Sequence, residues 1–285
     1  VRILPSLKTL RRISVALLAI GCLLGIWAFW WEPHRLLVRE VPLELPDWPP
    51  ELNGLRVALL ADLHVGSPYN DLDKLREIVR RTNEAHPDLI CMLGDYVKGR
   101  IPGHWVNPRT MARELRNLRA PLGVFAVLGN HDHWYGAEEV AQALRGAGIK
   151  VVEDQAERVT FHGSGLWIGG LSDFREGRHD VRGTLRQVTD SAPVILITHN
   201  PDVFPEIPAR VSLLLAGHTH GGQVVFPFIG ALVVPSIYDN RYLKGHIEER
   251  GQHLFVASGT GMSYLPVRFL VPPEVTILRI ESPRH

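Results

Sequence analysis

The sequence specifies an α/β protein in which two mixed β-sheets pack face to face as a sandwich, with helices outside and one membrane-crossing helix at the N-terminus. Over residues 55–145, apolar runs of strand length alternate with amphipathic segments, and after Gly148 the pattern turns strand-rich. Ahead of this pattern, residues 13–31 contain no charged side chain. At 285 residues the chain is long enough for one large domain with a substantial core.

As a helix, residues 13–31 would be about 28 Å long at about 1.5 Å per residue, close to the roughly 30 Å of a bilayer core. Trp27, Trp30 and Trp31 crowd its C-terminal end, where indoles prefer the membrane interface. A small-residue cleavage site is not evident around residues 28–32, so an uncleaved anchor is expected rather than a signal peptide. Arg2, Lys8, Arg11 and Arg12 precede the segment and Arg35 and Arg39 follow it, which favours an inside N-terminus. The expectation is a single-pass cell-membrane protein with its globular part on the non-cytoplasmic face.

The expected organisation is a basic flank (1–12), an anchor (13–31), a proline-rich tether (32–53) and a globular domain (54–285). The tether carries Pro33, Pro42, Pro46, Pro49 and Pro50 and should be extended, able to add an edge strand. Strands are expected at 55–61, 88–93 and 124–128. Helices should follow them at 71–86, with Asn70 as cap, at 108–119 and at 137–145. Further strands are expected at 150–152, 158–161, 166–169, 194–198 and 211–216, then short ones to residue 280. The apolar stretch 224–234, with Phe226, Phe228, Ile229 and Leu232, is expected as a core strand pair, with a lipid-facing lip as the alternative.

A formal net charge of +1 gives no electrostatic case for nucleic acid. Two cysteines, Cys22 in the apolar segment and Cys91 in an expected core strand, form no Cys-x-x-Cys pair and read as small hydrophobes.

Chemistry collects where the strands end. One run passes into Asp62-Leu63-His64, another through Gly94 into Asp95, and a third through Gly129 into Asn130-His131-Asp132. Two more pass into His199-Asn200 and, through Gly217, into His218-Thr219-His220. In open α/β sheets ligands bind beyond the carboxyl ends of the strands. Alone, each residue has an ordinary structural explanation as a turn, loop or core residue. Unpaired polar groups at five core strand ends would together cost several kcal/mol. In an extended segment His218 and His220 would point the same way, so both imidazoles are expected to converge on one space.

In order, Asp62-x-His64, Gly94-Asp95, Gly129-Asn130-His131-Asp132, His199 and Gly217-His218-Thr219-His220 resemble the motif set of the calcineurin-like metallophosphoesterases. The Gly-His-Thr-His-Gly-Gly-Gln ending, the prolines and the anchor resemble its bacterial membrane-associated branch, which includes enzymes splitting the pyrophosphate of UDP-2,3-diacylglucosamine. The resemblance implies an αββα sandwich and two divalent metal ions, manganese, iron or zinc. It implies Asp62, His64 and His220 on one ion, Asn130, His199 and His218 on the other, and Asp95 bridging. It also implies His131 as proton donor to the leaving oxygen, with Asp132 holding its other ring nitrogen. Two metals about 3.5–4 Å apart can generate hydroxide near neutral pH and clamp phosphoryl oxygens.

Three loops are candidates for selectivity. One holds Lys98, Arg100, His104 and Trp105, and another His133, Trp134 and Tyr135. The third is the basic stretch Arg175, Arg178 and Arg182, for which solvated surface is the preferred reading and phosphate contact the alternative. The expected activity is hydrolysis of a phosphodiester or pyrophosphate, of which a lipid-linked substrate is one case. A broad phosphomonoesterase and a metal-stabilised binding module without catalysis are the alternatives; the intact Asn130-His131-Asp132 speaks against the last.

Overall fold

The protein is described by a computed structural model covering residues 6–98, 106–263 and 265–283. Helix α1 (Leu7–Ile26) is capped by the Ser6 hydroxyl, which accepts from the Thr9 amide. It continues through a π turn (Trp27–Trp31) into the short α2 (Glu32–His34). The continuous helix Leu7–His34 is long and apolar enough to cross a membrane, with a mean hydropathy of 2.2 over its most apolar window. Arg2, in the expected basic flank, lies outside the described residues.

The first half of the chain builds one sheet. Its strands are β1 (Leu37–Glu44), β2 (Leu55–Leu60), β3 (Leu89–Leu93), β4 (Val124–Val127) and β5 (Lys150–Val151). Between them run α3 (Leu72–Glu84), α4 (Pro108–Leu115) and α5 (Asn130–Gly146). The second half supplies β6 (Gln155–Phe161), β7 (Ser164–Gly170), α6 (Val181–Arg186), β8 (Val194–Ile197) and β9 (Leu213–Ala216). A hairpin β10 (Val225–Phe226) and β11 (Gly230–Ala231) follows, then β12 (Gly245–Glu249), β13 (Gln252–Val256) and β14 (Glu274–Glu281). The first sheet has the order β1-β14-β2-β3-β4-β5 and the second β12-β13-β9-β8-β7-β6. Both are mixed. In the first, β14 runs antiparallel to β2 while β2 to β5 are parallel; in the second, β7, β8, β9 and β13 are parallel between antiparallel edges.

Period-two side-chain alternation divides the apolar runs between two layers. Val57, Leu59, Cys91, Leu93 and Phe125 face Leu166, Ile168, Ile195, Leu213 and Leu215 in the core between the sheets. Ala58, Leu60, Ile90, Met92 and Ala126 face the helices, meeting Leu75, Ile78, Met111, Leu115 and Leu144. On the far side, Leu196, Leu214 and Val256 meet Phe204 and Tyr242. Strands covered on both faces read as unbroken apolar runs, which is why they stood out in the sequence.

Three expectations need correction, while the proline-rich stretch supplies the edge strand expected of it: β1 pairs in parallel with β14 over eight residues, from Leu37 opposite Glu274 to Glu44 opposite Glu281. Leu43, Leu45, Trp48 and Leu52 are buried behind it. Helix α3 is capped by Asp71, whose carboxylate accepts from the Lys74 amide, and not by Asn70. Asn70 is buried and donates to the Leu63 carbonyl instead. The third helix begins at Asn130, so the Asn-His-Asp motif forms its first turn, with a break at Gly136 (φ 141°) marking where the expected helix began. Finally, residues 224–234 are not a core strand pair. Phe228, Ile229, Leu232 and Val233 are exposed, because the hairpin pairs only two residues with two and packs against no sheet.

Candidate metal centre

Five loops leaving strand C-terminal ends meet at one place, and five of the side chains they carry sit in strained backbone. Asp62 (φ 52°), His64 (φ 42°), Asp95 (φ 57°), His218 (φ 71°) and His220 (φ 52°) all adopt the left-handed region, which costs a non-glycine residue about 1–3 kcal/mol. Close approach adds a glycine requirement. A Cβ on Gly129 would lie 2.3 Å from Asp95 Oδ1, and one on Gly94 would lie 2.6 Å from the Gly129 nitrogen.

Two donor sets share the pocket floor. Asp62, His64 and His220 bring their ligand atoms within 4.8 Å of one another, and so do Asp95, His199 and His218. Asp95 Oδ2 lies between the sets, 3.5 Å from His64 Nε2 and 3.4 Å from His199 Nε2. Asn130 Oδ1 is 3.1 Å from His199 Nε2, and His218 Nδ1 is 2.9 Å from the same nitrogen. In the other set His64 Nε2 is 3.3 Å from His220 Nε2. His218 and His220 therefore do not converge: the turn between them sends one imidazole to each set, since neither residue is extended.

The histidines are oriented as ligands. His199 Nδ1 donates to the Leu93 carbonyl, His220 Nδ1 to Gly261 and His218 Nε2 to Pro235, leaving the opposite nitrogen of each ring facing the cluster. A backbone partner on the outer nitrogen fixes the tautomer, as metal-binding imidazoles require. The electrostatics are those of an electron-rich buried cluster. Burial pushes His64 down to about 3 and His218 down to about 4, so both stay neutral. Burial also opposes charge on His199, but Asp95 and Asp62 outweigh it and raise that imidazole to about 10. Asp95 is held well below the usual carboxylate range: burial works against its charge, while His199, His64 and His131 favour it. Burial lifts Asp62 to about 7. Carboxylates, imidazoles and one amide oxygen at these distances suit two borderline divalent ions.

His131 and Asp132 are both present, but not as a pair. The His131 ring donates from Nδ1 to the Lys98 carbonyl at 3.0 Å, and its plane lies edge-on to His64 with centroids 4.6 Å apart. Asp132 accepts from the amides of Asp95, Tyr96, Val97 and Gly129 instead. With both oxygens taken by main chain, Asp132 shapes the loop that presents Asp95 and does not reach the His131 ring. Helix α5 adds a further constraint, because the His131 amide donates to Asp95 Oδ1 at 2.8 Å.

Above the cluster a cavity of about 130 Å³ is lined by Asn130, His131, Trp134, Asp173, Arg175 and Asn200 among others. Arg175 thus reaches the site, whereas Arg178 and Arg182 line a separate surface cleft. The Trp134 ring lies tilted against that of His131, with centroids 4.6 Å apart, and its indole donates to Glu176 at 3.0 Å. Arg100, His104 and Trp105 lie outside the described residues. Asn200 Nδ2 and Asp173 Oδ2 are buried with no hydrogen-bond partner among the described residues, so the cavity offers one spare donor and one spare acceptor.

The profile of the calcineurin-like phosphoesterases matches residues 55–222, more than half of the chain. The chain belongs to this family. It is a metal-dependent phosphoric ester hydrolase. It is 32% identical over 259 residues to the uncharacterized metallophosphoesterase YkuE of Bacillus subtilis, covering 90% of this chain and 89% of that one. It is 30% identical to the phosphodiesterase YaeI of Escherichia coli, over 79% of this chain and 82% of that one. A zebrafish transmembrane protein with a metallophosphoesterase domain is 30% identical over 86% of this chain and 57% of its own. The NAD nucleotidase NadN of Haemophilus influenzae shares the fold, with a TM-score of 0.51 at 15% identity over 73% of this chain and 50% of that one.

One residue of this hydrolase escaped the sequence reading. Arg268 is fully buried, and its guanidinium donates to the carbonyls of Ser258, Gly259, Gly261 and Val271. Those carbonyls belong to the loop whose glycines pack on Asp62 and His64, and Gly261 also accepts from His220. Burial lowers the guanidinium to about 10, against the support of Asp62 and Glu32. Arg268→Met should destabilise the detergent-solubilised protein by about 3–5 kcal/mol in urea titration, the usual cost of removing one partner from a buried charged set. Lysine, with a compact three-donor head, should recover only part of this. A loss under about 1 kcal/mol would mean that the loop carbonyls find other donors.

Proposed function

We propose that this chain is a membrane-anchored phosphodiesterase, cleaving a phosphodiester or pyrophosphate at a two-ion centre. In this reading Asp62, His64 and His220 would hold one divalent ion and Asn130, His199 and His218 the other, with Asp95 as the carboxylate that would be shared between them. The observation that carries it is the position of Asp95 Oδ2, nearly equidistant from His64 of one donor set and His199 of the other. The outer-nitrogen hydrogen bonds of His199, His218 and His220 support it. Manganese, iron and zinc all suit such a donor set. When bound, the ions supply Lewis acidity and activate the nucleophile.

The chain's own residues do the rest. His131, its Nδ1–H committed to Lys98, exchanges a proton at Nε2 with the leaving oxygen. Asn200 Nδ2, buried and without a partner among the described residues, donates to a phosphoryl oxygen. Arg175 offers a charge at the cavity rim. The apolar helix Leu7–His34 supports an anchor in the membrane, and the basic residues before it favour a catalytic domain on the non-cytoplasmic face. A lipid-linked substrate such as UDP-2,3-diacylglucosamine would require the opposite face if it is met in the cytoplasm, and protease protection in sealed vesicles separates the two.

The activity is tested by comparing bis-p-nitrophenyl phosphate with p-nitrophenyl phosphate, each with and without manganese. Metal-dependent turnover of the diester above the monoester is expected. Preference for the monoester would favour a phosphomonoesterase, and no turnover of either with any divalent metal would favour a binding module.

A further inference from the structure

The hairpin that was expected in the core is exposed, and what it adjoins gives it a role. Residues 224–238 carry no charged side chain. Phe228 at the turn (φ 68°) is fully exposed, and Val233, Ile229, Leu232 and Ile237 are 77%, 70%, 66% and 60% exposed. Leu265 and Leu270 extend the same apolar character onto the neighbouring segment. A patch of this kind on a folded domain marks a contact with protein or lipid.

The attachment of the anchor decides between them. The Val225 amide donates to the Phe269 carbonyl at 3.0 Å, and the Phe226 and Phe269 rings lie 5.6 Å apart. One residue away, the Arg268 amide donates to the Ala28 carbonyl, also at 3.0 Å. A single short segment thus holds the hairpin on one side and the end of the apolar helix on the other. That end is fixed further by Tyr69 Oη donating to the Phe29 carbonyl and Lys74 Nζ to His34. Glu32 is buried beneath it, its carboxylate accepting from the Trp27 indole. Trp27, Trp30 and Trp31 are exposed at this level, where indoles mark the membrane interface.

We propose that the hairpin 224–237, with Leu265 and Leu270, is a membrane seat: it enters the headgroup and acyl boundary of the bilayer that holds the anchor. This rests on the anchored reading given above. The seat also fixes which way the enzyme faces. An apolar cavity of about 410 Å³, lined by Val224, Leu232, Val233, Leu265 and Val267, lies against the hairpin and shares His220, Pro235 and Ser263 with the cavity over the metal centre. The metal centre therefore opens beside lipid, and a phosphoester held in the bilayer reaches it without leaving the membrane surface.

The test uses the full chain with Cys22→Ser, reconstituted in phosphatidylcholine nanodiscs. An environment-sensitive fluorophore is attached at Phe228→Cys or, as control, at Arg250→Cys. Arg250 lies in the turn between β12 and β13, and β13 runs from that turn toward the metal centre, so the control sits at the far end of the sheet. Nitroxide-labelled phosphatidylcholine should quench the label at 228 about twofold or more and leave the label at 250 unchanged, as for a segment lying in the interface. A label at 228 that is water-exposed overturns the seat. So does one that is shielded yet unquenched by lipid, since a second protein copy would then cover it. Failure of the chain to enter nanodiscs overturns anchor and seat together. The readout needs no turnover, so an inactive but quenched protein would remove the phosphodiesterase reading and leave the seat standing.

Discussion

Asp95→Ala is expected to empty both metal positions of the purified protein, whereas Asn130→Ala chiefly empties one. The asymmetry follows from geometry: Asp95 Oδ2 faces His64 and His199, while Asn130 Oδ1 approaches His199 alone. The effect extends beyond the lost ligand. Asp95 Oδ1 also accepts from the first turn of α5. Each ion contributes several kcal/mol of charge stabilisation, so turnover should fall on the order of 10³-fold or more. Elemental analysis by mass spectrometry checks it. Two ions retained in Asp95→Ala would sink the bridging role.

His131→Ala should keep both ions and still lose roughly 10²–10⁴-fold in turnover, the usual worth of a positioned acid. Its ring is adjacent to the cluster, but its Nδ1 is committed to the Lys98 carbonyl, so the proton on offer resides at Nε2. A diester with a good leaving group needs little protonation, and the loss should shrink as leaving-group pKa falls. Measuring kcat across a series of aryl diesters, with metal content checked in parallel, reads this directly. An equal loss for every leaving group would make His131 a phosphate-positioning residue.

Much of the candidate site was legible in the sequence because its polar residues sit at the ends of strands buried on both faces. Such strands are unbroken apolar runs, so the polar residues that interrupt them at positions 62, 95, 130, 199 and 218 were conspicuous. The missed features depend on partners distant in the chain or on main-chain atoms. Arg268 satisfies carbonyls, which no side-chain pattern reveals, although an arginine set between Val267 and Phe269 was a signal that it is buried. Asp132 had the right neighbours for a His-Asp pair, yet its acceptors were claimed by four amides of the loop around Asp95 and of Gly129. Periodicity could not separate a buried strand from an exposed apolar hairpin at 224–234.

The placement of β14 has a consequence for how the domain comes into being. It lies between β1 and β2, so the first strand after the anchor has no neighbour until the last strand has emerged from the ribosome. Contacts spanning more than two hundred residues, such as Leu37 with Glu274, pay their loop-closure entropy late. By contrast α1 is closed by local hydrogen bonds and needs no distant partner to form. Closing that edge completes the sheet and brings in the segment before β14, whose Arg268 amide donates to the Ala28 carbonyl of the N-terminal helix.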